Sequence, residues 1–168
     1  METDGFFGGT MYHEFSEKAF AGSAFLNLPP HNGLIVKDGI IFAVDDDATE
    51  ISIDEFTDAP HKYTGFYSMP VDLDLKHVKK MTLHHLNHAE SMTVFPETVV
   101  IADESDATRR RRNYCGVLND KRIKNFEVKP DSQSFKVIDG ILYSKDGRYL
   151  LKCAGKTGHV SIPEGTKR

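Results

Sequence analysis

The segment TLHHLNH, residues 82–88, contains three of the eight histidines and is the stretch best suited to metal chemistry. His84 and His88 are four residues apart, so on a helix both imidazoles would lie on one face, where they could bind zinc. No glutamate adjoins them as in the helical zinc-protease motif, and on a strand the two side chains would stand apart. We therefore expect surface or half-buried histidines, and keep a metal-dependent protein that uses the region from His77 to His88 as an alternative.

A stretch of mixed charge offers a second candidate site. ADESDATRRRR, residues 102–112, sets three carboxylates against four arginines. A basic patch there would suit an acidic partner or phosphates, with Arg109 and Arg110 as candidate partner contacts. Opposite charges that lie so close in sequence neutralise each other, so the preferred interpretation is a solvated loop.

Two further motifs are weaker. The triplet Asp45–Asp47 could hold calcium, but three consecutive acids point in different directions and no calcium-loop pattern follows, so a charged turn tip is expected. GKTG, residues 155–158, lacks the spacing of a phosphate-binding loop and is interpreted as a turn. Because no serine, cysteine or histidine lies in a recognisable nucleophile motif, the sequence favours a non-enzymatic protein with no cofactor.

Composition limits the class of protein. A chain of 168 residues with 39% hydrophobic and 27% charged residues can form one folded domain with a core. The net charge of −4 gives no reason to expect nucleic acid as a partner, and no stretch approaches the roughly 20 apolar residues that span a bilayer. Cys115 and Cys153 are too few for a disulfide framework. A single bridge stays open, and two buried thiols is the preferred interpretation.

Short strands and turns are the elements that must position these residues. In FKVIDGILYS, residues 135–144, the pair Asp139-Gly140 supplies the positive φ angles of a type I′ turn between two apolar runs, which predicts a β-hairpin. Aligning Asp38-Gly39 with that pair matches apolar residues on both sides, so the hairpin is predicted twice, about 100 residues apart. Internal duplication of this kind is typical of repeat proteins.

A smaller pattern recurs along the chain: two apolar residues, one apart, followed by proline or a polar turn. Each copy predicts a short strand with two core-facing side chains, which needs neighbouring copies to be stable. A helix is weighed for residues 14–25, and the region of Lys80–Leu83 fits a helix and a strand equally well. The fragments are FLNLPP (25–30), EISID (50–54), KMTLHH (80–85), MTVFPET (92–98), NFEVKP (125–130) and HVSIPEG (159–165).

Two of these stretches resemble BspA-like leucine-rich-repeat proteins. EKAFAG followed by FLNLPP is similar to the Ala-Phe-x-Gly and Leu-x-x-Leu-x-Leu-Pro rhythm of that family, and the segment from NFEVKP to IPEGTK is similar to its hairpin-bearing unit. The resemblance covers residues 16–54 and 124–167. It implies a β-rich fold, a short right-handed leucine-rich-repeat solenoid with inserted β-hairpins and an irregular centre.

The resemblance also implies roles for individual residues. Phe20 is expected to be a buried aromatic, and Pro163 is expected to end a strand. Apart from the resemblance, Tyr143 and Tyr149 are candidate contacts for a protein partner, as exposed aromatic residues of the projecting hairpins. The strand residues expected to face the core are Leu26, Leu28, Ile51, Ile53, Val160 and Ile162.

Function and location follow as expectations. Members of the family are mostly bacterial surface or secreted proteins associated with adhesion and binding of host proteins, so a non-enzymatic protein-binding module with an unidentified protein partner is predicted. The chain is taken as a single domain, residues 1–168, with a first repeat at 16–54, a degenerate or inserted region at 55–123 and a second repeat at 124–168. The alternative is a structural segment of a longer repeat protein. The sequence shows no signal peptide, so a cytoplasmic location stays open.

Overall fold

A computed structural model describes residues 16–37, 40–53, 73–84, 92, 94–102, 118, 120–155, 159 and 161–167. Within these ranges the chain forms two 3₁₀ helices and nine strands. The 3₁₀ helices are Glu17–Phe20 and Ala24–Asn27. The strands are β1 (Leu34–Lys37), β2 (Ile40–Val44), β3 (Glu50–Ile53), β4 (Lys80–Leu83), β5 (Thr98–Ile101), β6 (Asn125–Val128), β7 (Phe135–Ile138), β8 (Ile141–Ser144) and β9 (Leu150–Cys153).

Strands β3 to β6 form a parallel sheet in chain order. Each pair is in register from its first residue, so Glu50, Lys80, Thr98 and Asn125 lie side by side in one row. Because side chains alternate between faces, the second and fourth residue of each strand share the face that packs into the core. The region of Lys80–Leu83, whose sequence fitted a helix and a strand equally well, is therefore a strand.

Antiparallel hairpins lie before and after this sheet. β1 pairs with β2, and β8 pairs with both β7 and β9. In the second hairpin Asp139 and Gly140 have φ angles of 52° and 75°, which confirms the predicted turn. The first hairpin has the same register at its turn, since Lys37 is opposite Ile40 just as Ile138 is opposite Ile141. Asp38 and Gly39 lie outside the described residues.

One hydrophobic core runs through all three sheets. Backbone hydrogen bonds also join them: Ser52 N donates to Asn32 O at 3.0 Å, and Gly155 N donates to Ile123 O at 2.9 Å. Each sheet contributes fully buried side chains to this core, so the hairpins and the parallel sheet stabilise each other. Among them are Leu34 and Ile41 from the first hairpin, Ile53, Met81, Leu83, Val99 and Ile101 from the parallel sheet, and Phe135, Leu142 and Leu151 from the last sheet.

The predicted solenoid is wrong. The described residues form three sheets, one parallel and two antiparallel, and no solenoid is identified among them. FLNLPP does not form a strand, because Leu26 and Leu28 donate backbone hydrogen bonds locally, to Ser23 O and Phe25 O, in and just after the second 3₁₀ helix. The two prolines that follow have no N–H to donate to a sheet. Leu26 and Leu28 are half-buried there, and do not face the core from a strand.

HVSIPEG also lies outside the strands. Ile162 was expected to face the core but is 44% exposed, and Val160 lies outside the described residues. Pro163 is exposed and accepts a hydrogen bond from Thr166 N at 3.3 Å, which closes a turn. The segment is held at its far end, where Lys167 bridges Tyr149. The predicted strand is therefore replaced by a turn that rests on β9.

The strand predicted in MTVFPET is wrong, since of its described residues only Thr98 lies in a strand, and Asp120 explains why. Its carboxylate accepts hydrogen bonds from Phe95 N at 2.8 Å, from Arg122 N at 2.9 Å and from the Arg122 guanidinium at 2.8 Å. Phe95 N is thus occupied and Pro96 has no N–H, so sheet pairing begins only at Thr98. Asp120 fixes the approach to β5 against the turn before β6.

Removing the carboxylate should destabilise the fold. Burial disfavours the charged form of Asp120, but the hydrogen bonds from Arg122 and Phe95 outweigh it and hold its pKa below the ordinary 3.8. A lowered folded-state pKa stabilises the protein above about pH 4, and this stabilisation is lost as pH falls through the folded pKa. Asp120→Asn should lower the free energy of unfolding by about 1–3 kcal/mol at pH 7 and flatten its decline below pH 4.

Urea denaturation from pH 7 to pH 3 measures both effects. Asp46→Asn is the matched control, because Asp46 is exposed in the turn between β2 and β3. If the free energy of unfolding of Asp120→Asn declines below pH 4 as steeply as that of the wild type, the stabilising role given to the Asp120 carboxylate is wrong.

Gly33 sets the distance between the first hairpin and β3. Its φ angle is +78°, and a Cβ built there would lie 2.6 Å from Glu50 O. Gly33→Ala should therefore cost about 2 kcal/mol or more, from backbone strain and displacement of β3. Gly22 has a φ of +75° with open space around it, so Gly22→Ala should cost only about 1 kcal/mol. Equal losses in chemical denaturation would show that the close approach to Glu50 is unimportant.

Candidate protein interface

The face of the parallel sheet opposite the core is the leading candidate surface. It consists of the first and third residue of each strand, and we call it the open face. Three of its residues are exposed and five are half-buried. Parallel sheets are usually covered on both faces, so an accessible face is a natural place for a partner. The open face comprises Glu50, Ser52, Lys80, Thr82, Thr98, Val100, Asn125 and Glu127.

Register arranges the open face in two rows. One row runs Glu50, Lys80, Thr98 and Asn125, and the other runs Ser52, Thr82, Val100 and Glu127. The middle of the second row holds only short or β-branched side chains. The second row is therefore low above β4 and β5. The charged residues of the open face are Glu50 and Glu127 on the outer strands and Lys80 on β4.

An ion pair crosses this surface. Lys80 Nζ on β4 lies 2.8 Å from Glu127 Oε2 on β6, so the lysine side chain passes over the intervening β5. The hydrogen bond from Lys80 to Glu127 raises the pKa of the lysine above its ordinary value; burial opposes this, and the charges of Glu127 and Glu50 add to it. Both side chains are partly exposed, so the pair orders the surface and adds little to stability.

The tyrosines predicted as exposed contacts are placed differently. Tyr143 is fully buried, so that expectation is wrong, and its hydroxyl has no hydrogen-bond partner among the residues that the structure describes. Burial raises its pKa, and the nearby Cys153 and Asp139 raise it further. Tyr149 is half-buried and packs against the core. Tyr143 is buried because its strand, β8, lies between β7 and β9, and all four residues of β8 are buried.

The other predicted residues fall into three groups. Ile51 and Ile53 are buried in β3, and Phe20 is half-buried with its ring edge-on to Phe42 at 4.6 Å. Cys153 was expected to be buried but is exposed, because it is the last residue of an edge strand. The remaining predicted residues lie outside the described residues: Arg109, Arg110, Cys115, His85 and His88.

The described histidines of the central region are separated. His77 precedes β4 and its Nε2 lies 3.2 Å from Asp45 O, whereas His84 follows β4 and is half-buried. Asp46 and Asp47 are exposed at the turn between β2 and β3, as expected of a charged tip. Within the part of the chain that the structure describes, no group of three or more histidine, cysteine or acidic side chains could hold a metal ion.

Sequence reasoning missed the open face, although its signal was present. The first and third residues of each strand alternate with the apolar pair and face outward. The four strands read EISI, KMTL, TVVI and NFEV. The apolar pair is the stronger pattern in each strand, and by itself it does not reveal Ser52, Thr82, Val100 and Glu127. Their common row follows only from the parallel register.

Comparisons with known proteins add no relative: no family model, no curated protein and no solved structure matches this chain. Among the residues that the structure describes, no helix has the length and apolar character needed to cross a membrane.

The unpartnered hydroxyl of Tyr143 gives a stability prediction. A buried polar group without a hydrogen bond costs free energy, so Tyr143→Phe should leave stability unchanged or raise it by about 1 kcal/mol. Thermal and urea denaturation measure this. Tyr149→Phe, one residue before β9, is the control for loss of a tyrosine hydroxyl. A loss above about 1 kcal/mol in Tyr143→Phe would show that the hydroxyl has a bonding partner in solution.

Proposed function

We propose that the protein is a non-enzymatic protein-binding module that uses the open face as the centre of its interface. The observation that carries the proposal is the accessible, in-register face of the four-stranded parallel sheet. The resemblance of residues 16–54 and 124–167 to BspA-like proteins supports an adhesion-type role in binding another protein.

The physical character of the open face suits a protein partner. Its β-branched and small side chains offer apolar contact and hydroxyl groups at low entropic cost, because short side chains lose few rotamers on binding. Its charged groups fix the orientation of a partner more than they add affinity. Thr82 and Val100 lie in the middle, where the energetically important contacts of an interface usually concentrate.

The area of the open face limits how much of an interface it can form by itself. Four strands about 4.8 Å apart and four residues of about 3.3 Å give a surface of roughly 14 by 13 Å, or roughly 200 Å². A stable interface buries about 800 Å² on each partner. The open face therefore forms the centre of the contact, and the ends of the strands and the loops beside it must supply the surrounding area.

The test compares three variants. Val100→Arg and Thr82→Arg place a long cation on the middle of the open face, and Asp46→Lys changes charge at the exposed turn between β2 and β3. The immobilised wild-type protein is used to isolate a partner, which mass spectrometry identifies and which is then purified. Binding of the purified partner is measured by calorimetry, after circular dichroism has shown that each variant is folded.

The expected result is a Kd at least about tenfold higher for Val100→Arg and Thr82→Arg, with Asp46→Lys unchanged. Equal binding by the wild type and both face variants would contradict the proposal. So would the absence of any protein retained more strongly by the wild type than by Val100→Arg.

A further inference from the structure

A cleft of about 400 Å³ is lined by residues that do not belong to the open face. It is formed by the first 3₁₀ helix, the segment before β4, the approach to β5 and the turn before β6, which bring together residues far apart in sequence. Its volume falls in the lower part of the range of small-ligand sites. The lining divides into apolar residues and charged residues.

The apolar part of the lining comes from Leu73, Leu75 and Val94. Leu73 and Leu75 are buried and belong to the hydrophobic core, and Val94 is half-buried against it. Because these side chains are anchored in the core, they form a fixed wall. A short hydrocarbon group is the chemistry that such a wall accepts.

The charged part of the lining has an excess of cations. Lys18, Lys76 and Arg122 line the cleft together with Asp74. Lys76 Nζ lies 2.9 Å from Asp74 Oδ2, and Arg122 is paired with Asp120, so two positive charges are balanced by two carboxylates. Within the described residues, Lys18 has no carboxylate partner, and the net charge of the group is +1.

Arg122 is held ready to bind a second anion. Its Nε and Nη2 donate to Asp120 at 3.0 and 2.8 Å, which fixes the plane of the guanidinium. A guanidinium carries five N–H donors, so others remain for a ligand. Since Asp120 also holds Phe95 N, the orientation of Arg122 depends on the fold itself.

We propose that this cleft binds a monocarboxylate with a short apolar stem, its carboxylate held by Lys18 and Arg122 and its stem resting on Leu73, Leu75 and Val94. The three cations of the lining, Asp74 and the Asp120 carboxylate that pairs with Arg122 together carry a net charge of +1. A single negative charge matches this group, whereas a phosphate dianion would leave an uncompensated charge beside buried leucines. The ligand chemistry has two sources, a free carboxylic acid and the C-terminal carboxylate of a peptide.

The probe for the free source is hexanoate, titrated at pH 7 and low ionic strength into the isotope-labelled protein. Amide chemical shifts of Leu75, Val94 and Lys18 report binding. Hexanol and hexylammonium carry the same stem without the negative charge and serve as ligand controls. The expected result is saturable shifts with hexanoate that weaken as salt is added, and no saturation with hexylammonium.

Two variants test the role of charge. Lys18→Met keeps most of the side-chain length and removes the cation, and Lys145→Met makes the same change at an exposed residue outside the cleft. The Kd for hexanoate should rise about tenfold in Lys18→Met and stay unchanged in Lys145→Met. Equal effects of the two variants, or equal binding of hexanol and hexanoate by the wild-type protein, would overturn the proposal.

The peptide arm uses Ala-Leu-Ala-Leu with an acetylated N-terminus and either a free or an amidated C-terminus. Tighter binding of the free-acid peptide than of hexanoate identifies a peptide as the source, and the reverse order identifies a free acid. If neither hexanoate nor the free-acid peptide binds, the proposal is wrong. The comparison of hexanoate with hexanol needs no substitution, so it holds even if Lys18→Met does not fold.

Discussion

The lateral register of β3 to β6 is the constraint on which the rest of the structure depends. Each strand has only four residues and two core-facing side chains, too little apolar surface to be stable alone. Pairing from the first residue aligns these side chains into a continuous buried layer. A shift of one residue in any strand would turn its apolar pair outward and its polar residues inward.

The first hairpin lies beside β3, and the last sheet packs against the same core. The first approaches β3 closely enough that only a glycine fits at Gly33, and the last sheet contributes Phe135, Leu142 and Leu151 to the shared core. The same geometry leaves the open face accessible, and the turn that Asp120 fixes places Arg122 in the lining of the cleft. Core, surface and cleft therefore follow from one alignment of short strands.

Local chemistry was predictable where it was self-contained. The Asp139-Gly140 turn needs only its own φ angles, and the apolar pairs of β3, β4 and β6 need only a period of two. Prediction failed where a distant group decides: Asp120 delays β5 by occupying Phe95 N, and β8 buries Tyr143 because strands lie on both sides of it. FLNLPP and HVSIPEG carry the same apolar spacing as the strands, but prolines and local hydrogen bonds keep them out of the sheet. The open face and the cleft could not be read from sequence, because both are built from residues that only register and packing bring together.

The ion pair that spans β5 has a further consequence for molecular recognition. In the proposed interface, a partner that lies across Thr98 and Val100 would have to displace or bridge Lys80 and Glu127, so this ion pair would compete with the partner. A purely hydrocarbon partner would leave both charges without a counterpart, and a partner of one sign would satisfy only one of them. A segment with an anion opposite Lys80 and a cation opposite Glu127 would replace the broken ion pair with two new ones. In the proposed interface, the ion pair would therefore favour a partner that carries its own matched charges.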